Sequence, residues 1–325
     1  MENAVSSGRL TDIAKVARKS SSVARRNYEQ LKSKFSGYDV LLQDEYAETM
    51  FCFMWDKHPV LPDRRVLVTD YLEFSSGCNL NPISKIVAWY ANRMLSKAYD
   101  ASSVRIFADG VDSLPASQSK RILKIFSIVG PILSEPPPGS KSVLKKIVVS
   151  TLFGSGLEDR KLIVLSVGGT STGKWFVDFI SLHHQEISNK LECLIVVLPG
   201  PRIDASQYAL RLESSIRFLP FNSNVVQYYK AADCVICQAG ASTMNEVLSV
   251  GTPCVTIPIS NHFEQEANAK RFEEMYDFVR LDPDGITVST LVNAINLALS
   301  KKYAAINFSP NATKAVRIIL EALRS

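Results

Sequence analysis

Short apolar runs alternate with stretches of helical periodicity along most of this chain. Such runs are typical of strands buried on both faces of a parallel sheet, and apolar residues three and four positions apart predict helices between them. The sequence therefore predicts an α/β fold. The predicted strands are Val40–Gln43, Val66–Thr69, Val104–Ala108, Leu162–Val167, Cys193–Leu198, Ser215–Phe218, Cys234–Cys237 and Cys254–Ile257.

A proline-rich segment marks the predicted domain boundary. Pro136, Pro137 and Pro138 precede Gly139, and such a run continues neither a helix nor a central strand. We predict a first domain over residues 1–131, a linker over 132–160 and a second domain over 161–325. The last predicted helix, Ala312–Leu323, is a candidate to pack back on the first domain.

Length and composition fit a globular protein of two domains, since the chain has 325 residues, of which 46% are hydrophobic. No apolar run approaches the roughly 18 residues that span a bilayer, and the first residues lack an apolar signal core. We therefore expect a cytoplasmic protein. Cys234 and Cys237 lie three apart on a predicted strand and so face opposite sides of it, which favours reduced core thiols over a metal or redox pair.

The net charge of +5 is concentrated near the N-terminus, where Lys and Arg outnumber Asp and Glu over residues 1–38. Residues 9–35 place apolar side chains at helical spacing, with basic residues between them. This pattern favours a domain helix with a solvated basic face, and the alternative is peripheral contact with the inner face of a membrane. Aromatic and basic residues are not interleaved, so we expect no nucleic-acid partner.

Three predicted strands of the first domain are followed by an acidic residue: Asp44, Asp70 and Asp109. The carboxyl ends of parallel strands face the ligand crevice in open α/β sheets. Asp is also a common turn residue at the end of a strand. Asp44 and then Asp70 are our candidates for a catalytic base.

A glycine-rich loop follows the first strand of the second domain. Residues 168–174 satisfy the spacing GxxxxGK, but Trp175 stands where a P-loop requires Ser or Thr, and the spacing is not GxGxxG either. A glycine loop before a helix nevertheless offers backbone N–H groups to phosphate oxygens. We predict such contacts for Gly168, Gly169, Thr170 and Ser171.

A second strand–turn–helix segment begins at Gln238. Gly240 permits a sharp turn or a close approach, Ser242 and Thr243 are candidate caps of the next helix, and Glu246 lies one turn inside it. A capping box is the purely structural alternative for Glu246. A later predicted strand ends at Pro258. A loop then leads to a predicted helix whose first residues are polar.

These segments resemble the C-terminal half of the family 28-type glycosyltransferases, such as the MurG N-acetylglucosaminyltransferases and their archaeal relatives. The resemblance covers about residues 160–300 and is specific in combination. It implies two Rossmann-like domains facing across a cleft (the GT-B type), with the donor nucleotide in the second domain. The matching positions are Gly240, Ser242/Thr243, Glu246, Gly251, Pro253, Pro258, Gln265 and Asn268.

The resemblance also implies roles for residues in binding a UDP-sugar. Glu246 would accept hydrogen bonds from the ribose hydroxyls, and residues 240–243, including Ala241, would approach the diphosphate. Gln265 and Asn268 would reach the donor sugar, and the loop holding Asn222 would lie beside the uracil. The resemblance implies inverting chemistry, and we expect no metal and no cofactor besides the donor substrate.

The first domain departs from the family pattern. Family members open with a strand and a glycine-rich loop carrying a His, whereas this chain opens on the basic helical stretch. We therefore expect a shortened first domain lacking about two βα units, or roughly 60 residues. Neither His58 nor His262 matches the family histidine.

The main hypothesis is transfer of a hexosyl or N-acetylhexosaminyl group from a UDP-sugar to an unknown, lipid-linked or other acceptor. The alternatives are a UDP-sugar hydrolase or epimerase, and a non-catalytic donor-binding subunit that needs a partner chain.

Overall fold

The computed structural model describes residues 5–6, 9–10, 13–35, 37–44, 52–70, 82–110, 124–169, 171–208, 215–260 and 262–324. The chain divides into two compact units. The first unit contains Asp12–Ile132 and Phe308–Ser325, and the second contains Leu133–Asn307 together with Met1–Thr11. Among the described residues, no helix combines the length and the apolar character needed to cross a membrane.

Twelve strands and nine α-helices are defined within the described residues. In chain order they are β1 (Val5–Ser6), β2 (Arg9–Leu10), α1 (Ile13–Phe35), β3 (Val40–Asp44), β4 (Arg64–Thr69), α2 (Pro82–Asp100), β5 (Val104–Phe107), β6 (Ser127–Ile128), α3 (Lys141–Phe153), β7 (Lys161–Ser166), α4 (Lys174–Leu191), β8 (Cys193–Leu198), β9 (Ile216–Phe218), α5 (Val226–Ala231), β10 (Cys234–Cys237), α6 (Ala241–Val250), β11 (Cys254–Thr256), α7 (Phe263–Tyr276), β12 (Val279–Arg280), α8 (Val288–Ser300) and α9 (Pro310–Arg324).

The first unit is built on a parallel four-stranded sheet in the order β3-β4-β5-β6. Helix α1 buries Ala24 and Tyr28 while Arg25 and Arg26 stay exposed, as expected of a domain helix with a solvated basic face. The final helix α9 also belongs to this unit: Lys314 Nζ donates to the carbonyl of Ile128 at 2.7 Å.

The second unit is built on a parallel six-stranded sheet in the order β12-β11-β10-β7-β8-β9. Every residue of β8 and β10 is buried, because helices can cover both faces of such a sheet. The chain passes from β7 through β8 to β9 and then returns to the other side of β7 with β10. The strand order therefore reverses between β7 and β10, which makes this pair the topological switch point of the sheet.

The eight strands predicted from apolar runs are all present, with bounds within about two residues. Residues 132–160, which the sequence predicts as a linker, contain the 13-residue helix α3. The prolines precede its N-cap Ser140 and so do not interrupt it. Lys145 Nζ on α3 pairs with Asp233 Oδ2 at 2.7 Å, which fixes the helix within the second unit.

Candidate functional site

The carboxyl ends of β7, β10 and β11 lie side by side in the second unit. Cys237, the last residue of β10, is in register with Ser166 on β7 and Thr256 on β11. Ligands of open parallel sheets bind outside the carboxyl ends of the strands at the switch point. The two segments singled out from the sequence both begin at this edge.

The glycine loop after β7 packs against the end of β8. Gly168 has φ +75° and Gly200 has φ +77°, and a Cβ on Gly200 would lie 2.0 Å from the Gly168 carbonyl oxygen. These two glycines are thus required by the backbone itself. Gly169 differs from them, because a Cβ there would meet nothing within 4 Å. Of the other predicted phosphate contacts, Ser171 begins a short 3-10 turn, and Thr170 lies outside the described residues.

Lys174, which completes the GxxxxGK spacing, is engaged on its own helix. Its Nζ lies 2.8 and 2.9 Å from the carboxylate oxygens of Asp178, and it lies 3.0 Å from the hydroxyl of Tyr208. The Tyr208 hydroxyl also donates to Asp178. The amine is therefore paired with residues of α4 and the segment after β8, unlike a P-loop lysine committed to phosphate.

Helix α6 starts without a side-chain cap, so the prediction that Ser242 and Thr243 cap it is wrong. Gly240 is the N-cap, and Ser242 and Thr243 lie within the first turn. The capping-box alternative for Glu246 also fails, because Glu246 is the sixth residue of the helix and too far along to reach the cap. Gly240 has φ −75°, which any residue can adopt, and a Cβ there would meet nothing within 4 Å. Contacts among the described residues therefore give no reason for a glycine at this position.

Glu246 is half-buried, and burial raises the pKa of its carboxyl group to about 7. Desolvation disfavours the charged form of a carboxyl group, and no compensating cation or donor among the described residues accompanies this one. The carboxylate makes no hydrogen bond or ion pair to the described part of the chain. It thus offers free acceptor oxygens nearly two turns into the helix that follows the switch-point loop.

Tyr229 on α5 connects the two sides of the switch point, and the sequence patterns did not single it out. Its hydroxyl lies 2.8 Å from the hydroxyl of Ser166 at the end of β7, and its carbonyl accepts from Oγ1 of Thr252, just before β11, at 2.8 Å. The ring is fully buried, and burial raises the pKa of the phenol well above its usual value. A buried Tyr four residues before Asp233 has no local signature, because its partners come from distant segments.

The side-chain amides of Gln265 and Asn268 each form a hydrogen bond with a backbone group through one of their two ends. Gln265 Oε1 accepts from the N–H of Ile259 at 3.0 Å, and Asn268 Nδ2 donates to the carbonyl of Ala239 at 3.2 Å. The Gln265 NH2 group and Asn268 Oδ1 make no hydrogen bond to the described residues. His262 is the N-cap of α7, and burial lowers the pKa of its imidazole.

Asn222 lies in the segment that connects β9 to α5. It follows β9, and β9 lies two strand spacings from β7, or about 10 Å. Its Oδ1 accepts from the N–H of Asn224 at 2.8 Å, which is a local turn contact. Asn222 thus follows the carboxyl end of β9, at the same edge of the sheet.

The two catalytic candidates lie in the first unit, at the carboxyl edge of its sheet. Asp44 is the exposed last residue of β3 and is in register with Val68, whereas Asp70 is half-buried just after β4. Asp109 is buried, and its Oδ1 accepts from the N–H of Gly110 at 2.8 Å, as in a strand-terminating turn. Within the described residues, no group of three or more His, Cys, Asp or Glu side chains could hold a metal ion. Cys234 and Cys237 are buried free thiols on strand β10.

The fold resembles those of solved glycosyltransferases. The crystal structure of the glycotransferase of kitacinnamycin superposes with a TM-score of 0.57 at 16% identity, covering 98% of this chain and 81% of that protein. At this identity the similarity concerns the fold alone. It confirms the predicted GT-B class of α/β protein with Rossmann-like parallel sheets.

A family model matches the sequence of most of the second unit together with helix α9. Residues 163–322 match the model of the glycosyltransferase family 28 C-terminal domain. The match spans just under half of the chain, and it confirms the resemblance found in the motifs.

Two relatives are similar over different lengths. An uncharacterized glycosyltransferase of Methanopyrus kandleri is 23% identical over 240 residues, covering 71% of this chain and 64% of the relative. The UDP-N-acetylglucosamine--N-acetylmuramyl-(pentapeptide) pyrophosphoryl-undecaprenol N-acetylglucosamine transferase of Caldicellulosiruptor saccharolyticus is 33% identical over 128 residues. That match covers 37% of this chain and 34% of the relative, so this chain matches less than two thirds of either protein.

Proposed function

We propose that the second unit binds a UDP-sugar and that the protein transfers its hexosyl or N-acetylhexosaminyl group to an acceptor. The observation that carries the proposal is the unpaired, half-buried carboxylate of Glu246 beside the open loop at Gly240. An acceptor-only group suits a vicinal diol, because both ribose hydroxyls can donate to one carboxylate. The name of the Caldicellulosiruptor relative supports UDP-N-acetylglucosamine as the first donor to test.

The diphosphate would lie at the start of α6. Met244 N–H is the first amide of this helix to bond back, to the Gly240 carbonyl at 3.1 Å, so the N–H groups of residues 241–243 are left for a ligand. Gly169 across the switch point leaves similar open space. Helix N-termini favour anions, so the same contacts would stabilise the UDP leaving group as its bond to the sugar breaks.

The donor sugar would be held by the free ends of two amides. The Gln265 NH2 group can donate to a sugar hydroxyl, and Asn268 Oδ1 can accept from one. Because their other ends bond to the backbone at Ile259 and Ala239, both amides are oriented before a ligand arrives. Asn222 would contribute to the nucleoside end of the site.

A base in the first unit would deprotonate the acceptor hydroxyl, and Asp44 and then Asp70 are the candidates. The acceptor oxygen would attack the anomeric carbon from the face opposite the diphosphate, which gives inversion. Neither a metal nor a further cofactor enters this proposal. A cytoplasmic location, contact of α1 with an anionic membrane surface and a partner subunit also remain proposals.

The proposal is tested by calorimetric titration of UDP and by release of UDP from UDP-N-acetylglucosamine in the presence of a lipid extract as acceptor. We expect UDP binding by wild-type protein, much weaker binding by Glu246→Ala, and acceptor-dependent UDP release that Asp44→Asn or Asp70→Asn reduces at least tenfold. Equal UDP affinity in Glu246→Ala would refute the site.

The alternatives predict different products. Free sugar or an isomerised UDP-sugar formed without acceptor would indicate a hydrolase or epimerase, and nuclear magnetic resonance of the mixture distinguishes them. Binding without turnover by the isolated chain, followed by turnover once a partner chain is added, would indicate a donor-binding subunit.

A further inference from the structure

Gln238 has a buried side-chain amide without partners at the switch point. The residue follows β10 directly, two positions before Gly240, and is only 8% exposed. Its Nε2 atom is fully buried and makes no hydrogen bond. Its Oε1 atom makes none to the described residues either, so neither end of this amide is satisfied within the described structure.

The backbone of Gln238 is well held, in contrast to its side chain. Its N–H donates to the Ser166 carbonyl at 3.4 Å, and its own carbonyl accepts from the N–H of Gly240 at 2.8 Å. The residue is therefore fixed between the end of β7 and the start of α6. Buried polar groups in native proteins are nearly always hydrogen-bonded, and an exception calls for an explanation such as an absent ligand.

From this placement we infer that the Gln238 amide donates a hydrogen bond to an oxygen of the bound diphosphate. The inference rests on the proposed function and adds a contact that neither the motifs nor the family match identified. The two ends of a Gln amide have nearly the same shape, so rotation about its last side-chain bond brings the NH2 group to the accessible end. Gly240, where an added Cβ would meet nothing within 4 Å, lies two positions after Gln238 in the chain. The free N–H groups at the start of α6 follow directly.

Thr256 provides an internal contrast. Its Oγ1 atom is also buried without a partner, at the end of the adjacent strand β11. Thr256 is completely inaccessible, whereas Gln238 retains some exposure. Thr256 thus serves as a matched buried polar group that a ligand does not reach.

The experiment compares wild type, Gln238→Met and Thr256→Val, with Gln185→Met on the exposed face of α4 as a control. Each protein is titrated with uridine and with UDP by calorimetry and is unfolded in urea without ligand. For Gln238→Met we expect about tenfold weaker UDP binding, since a hydrogen bond to a charged oxygen is lost, and uridine binding within about twofold of wild type. We expect its urea midpoint to be unchanged or higher, because an unsatisfied buried group has been removed.

Thr256→Val should show the same unchanged or higher midpoint with normal UDP binding, and Gln185→Met should match wild type in both measurements. Unchanged UDP affinity in Gln238→Met would overturn the contact. An equal loss for uridine and UDP, or a lowered urea midpoint, would assign Gln238 a structural role instead. If wild type binds uridine and UDP while only the Gln238 result fails, the proposed function stands without this contact. A wild-type protein that binds neither ligand overturns both.

Discussion

The side chain of Asn268 on α7 is hydrogen-bonded to the carbonyl of Ala239 in the loop before α6, with 3.2 Å between Nδ2 and the oxygen. One side chain thus ties the carboxyl end of β10 to the helix that follows β11. The loop that leads into α6 is therefore held from outside as well as by its own turn. Any ligand at Gly240 would meet a preorganised backbone, which lowers the ordering cost of binding.

Removal of this hydrogen bond should affect stability and binding together. We expect Asn268→Ala to lower the free energy of unfolding by about 1 kcal/mol, because the Ala239 carbonyl loses its donor. The loosened loop should bind UDP several-fold more weakly. Urea unfolding and calorimetry measure the two effects, and Asn293→Ala on the exposed face of α8 is the control. Wild-type UDP affinity together with the stability loss would show that the loop does not contribute to the site.

The raised pKa of Glu246 predicts pH-dependent nucleoside binding. With a pKa of about 7, roughly one tenth of this carboxyl group is ionised at pH 6 and roughly nine tenths at pH 8. Uridine binding that requires the carboxylate should therefore be about tenfold weaker at pH 6 than at pH 8. Uridine is the suitable probe because it carries no phosphate to titrate. Glu246→Gln should bind uridine weakly at both pH values, and a pH-independent wild-type affinity would contradict the prediction.

The same group should make the unliganded protein less stable at alkaline pH. The folded pKa of about 7 exceeds the usual glutamate value of 4.5, so the native state holds the proton more tightly than the unfolded state does. Wild-type stability should therefore fall as the pH rises from about 4.5 to 7. Since the carboxyl group is partly exposed, we expect Glu246→Gln to exceed wild type by only about 1 kcal/mol at pH 8, with the difference vanishing near pH 4.5. Urea midpoints of both proteins between about pH 4.5 and pH 8 test this pH-dependent difference in stability. Glu186→Gln, an exposed change on α4, should show no such trend.

Two glycines at the switch-point edge should respond in opposite ways to alanine. Gly240→Ala should fold with near-normal stability, because the added Cβ meets nothing within 4 Å, yet it should weaken UDP binding by occupying ligand space. Gly200→Ala should cost more than about 3 kcal/mol, since it combines φ +77° with a Cβ 2.0 Å from the Gly168 carbonyl. Thermal unfolding and calorimetry separate the two outcomes. Normal UDP affinity in Gly240→Ala would mean that the open space is not part of the site.

Replacement of Gln265 by Glu should separate the structural and binding ends of that amide. Glutamate keeps an oxygen to accept from the Ile259 N–H but loses the NH2 donor. We expect UDP affinity within about threefold of wild type and at least tenfold weaker binding of UDP-N-acetylglucosamine relative to UDP. Competition calorimetry with the two ligands measures this ratio. A proportional loss for both ligands would contradict a contact with the sugar.

Several features of the fold could be predicted because they depend on neighbouring residues. The apolar runs of β7, β8 and β10 identify strands buried on both faces, since few other structures accommodate such runs. Helix α3 was missed because the proline run before it dominated the prediction, although the prolines precede its Ser140 cap. The caps assigned to Ser242 and Thr243 were wrong because residue type alone does not reveal which residue leaves the helical conformation.

The segment from Gln238 to Asn268 was recognisable from the spacing of its residues, and the sequence by itself therefore determined the fold class and the resemblance to family 28. Only the tertiary structure decided that β10 lies beside β7, that Glu246 is desolvated without a partner, and that Gln238 is buried unsatisfied while Gln265 and Asn268 hold backbone. Strand order, burial and hydrogen-bond partners arise from contacts between segments far apart in the chain. Local periodicity indicates which face of a helix or strand is buried, but it does not indicate which residues of other segments pack against that face.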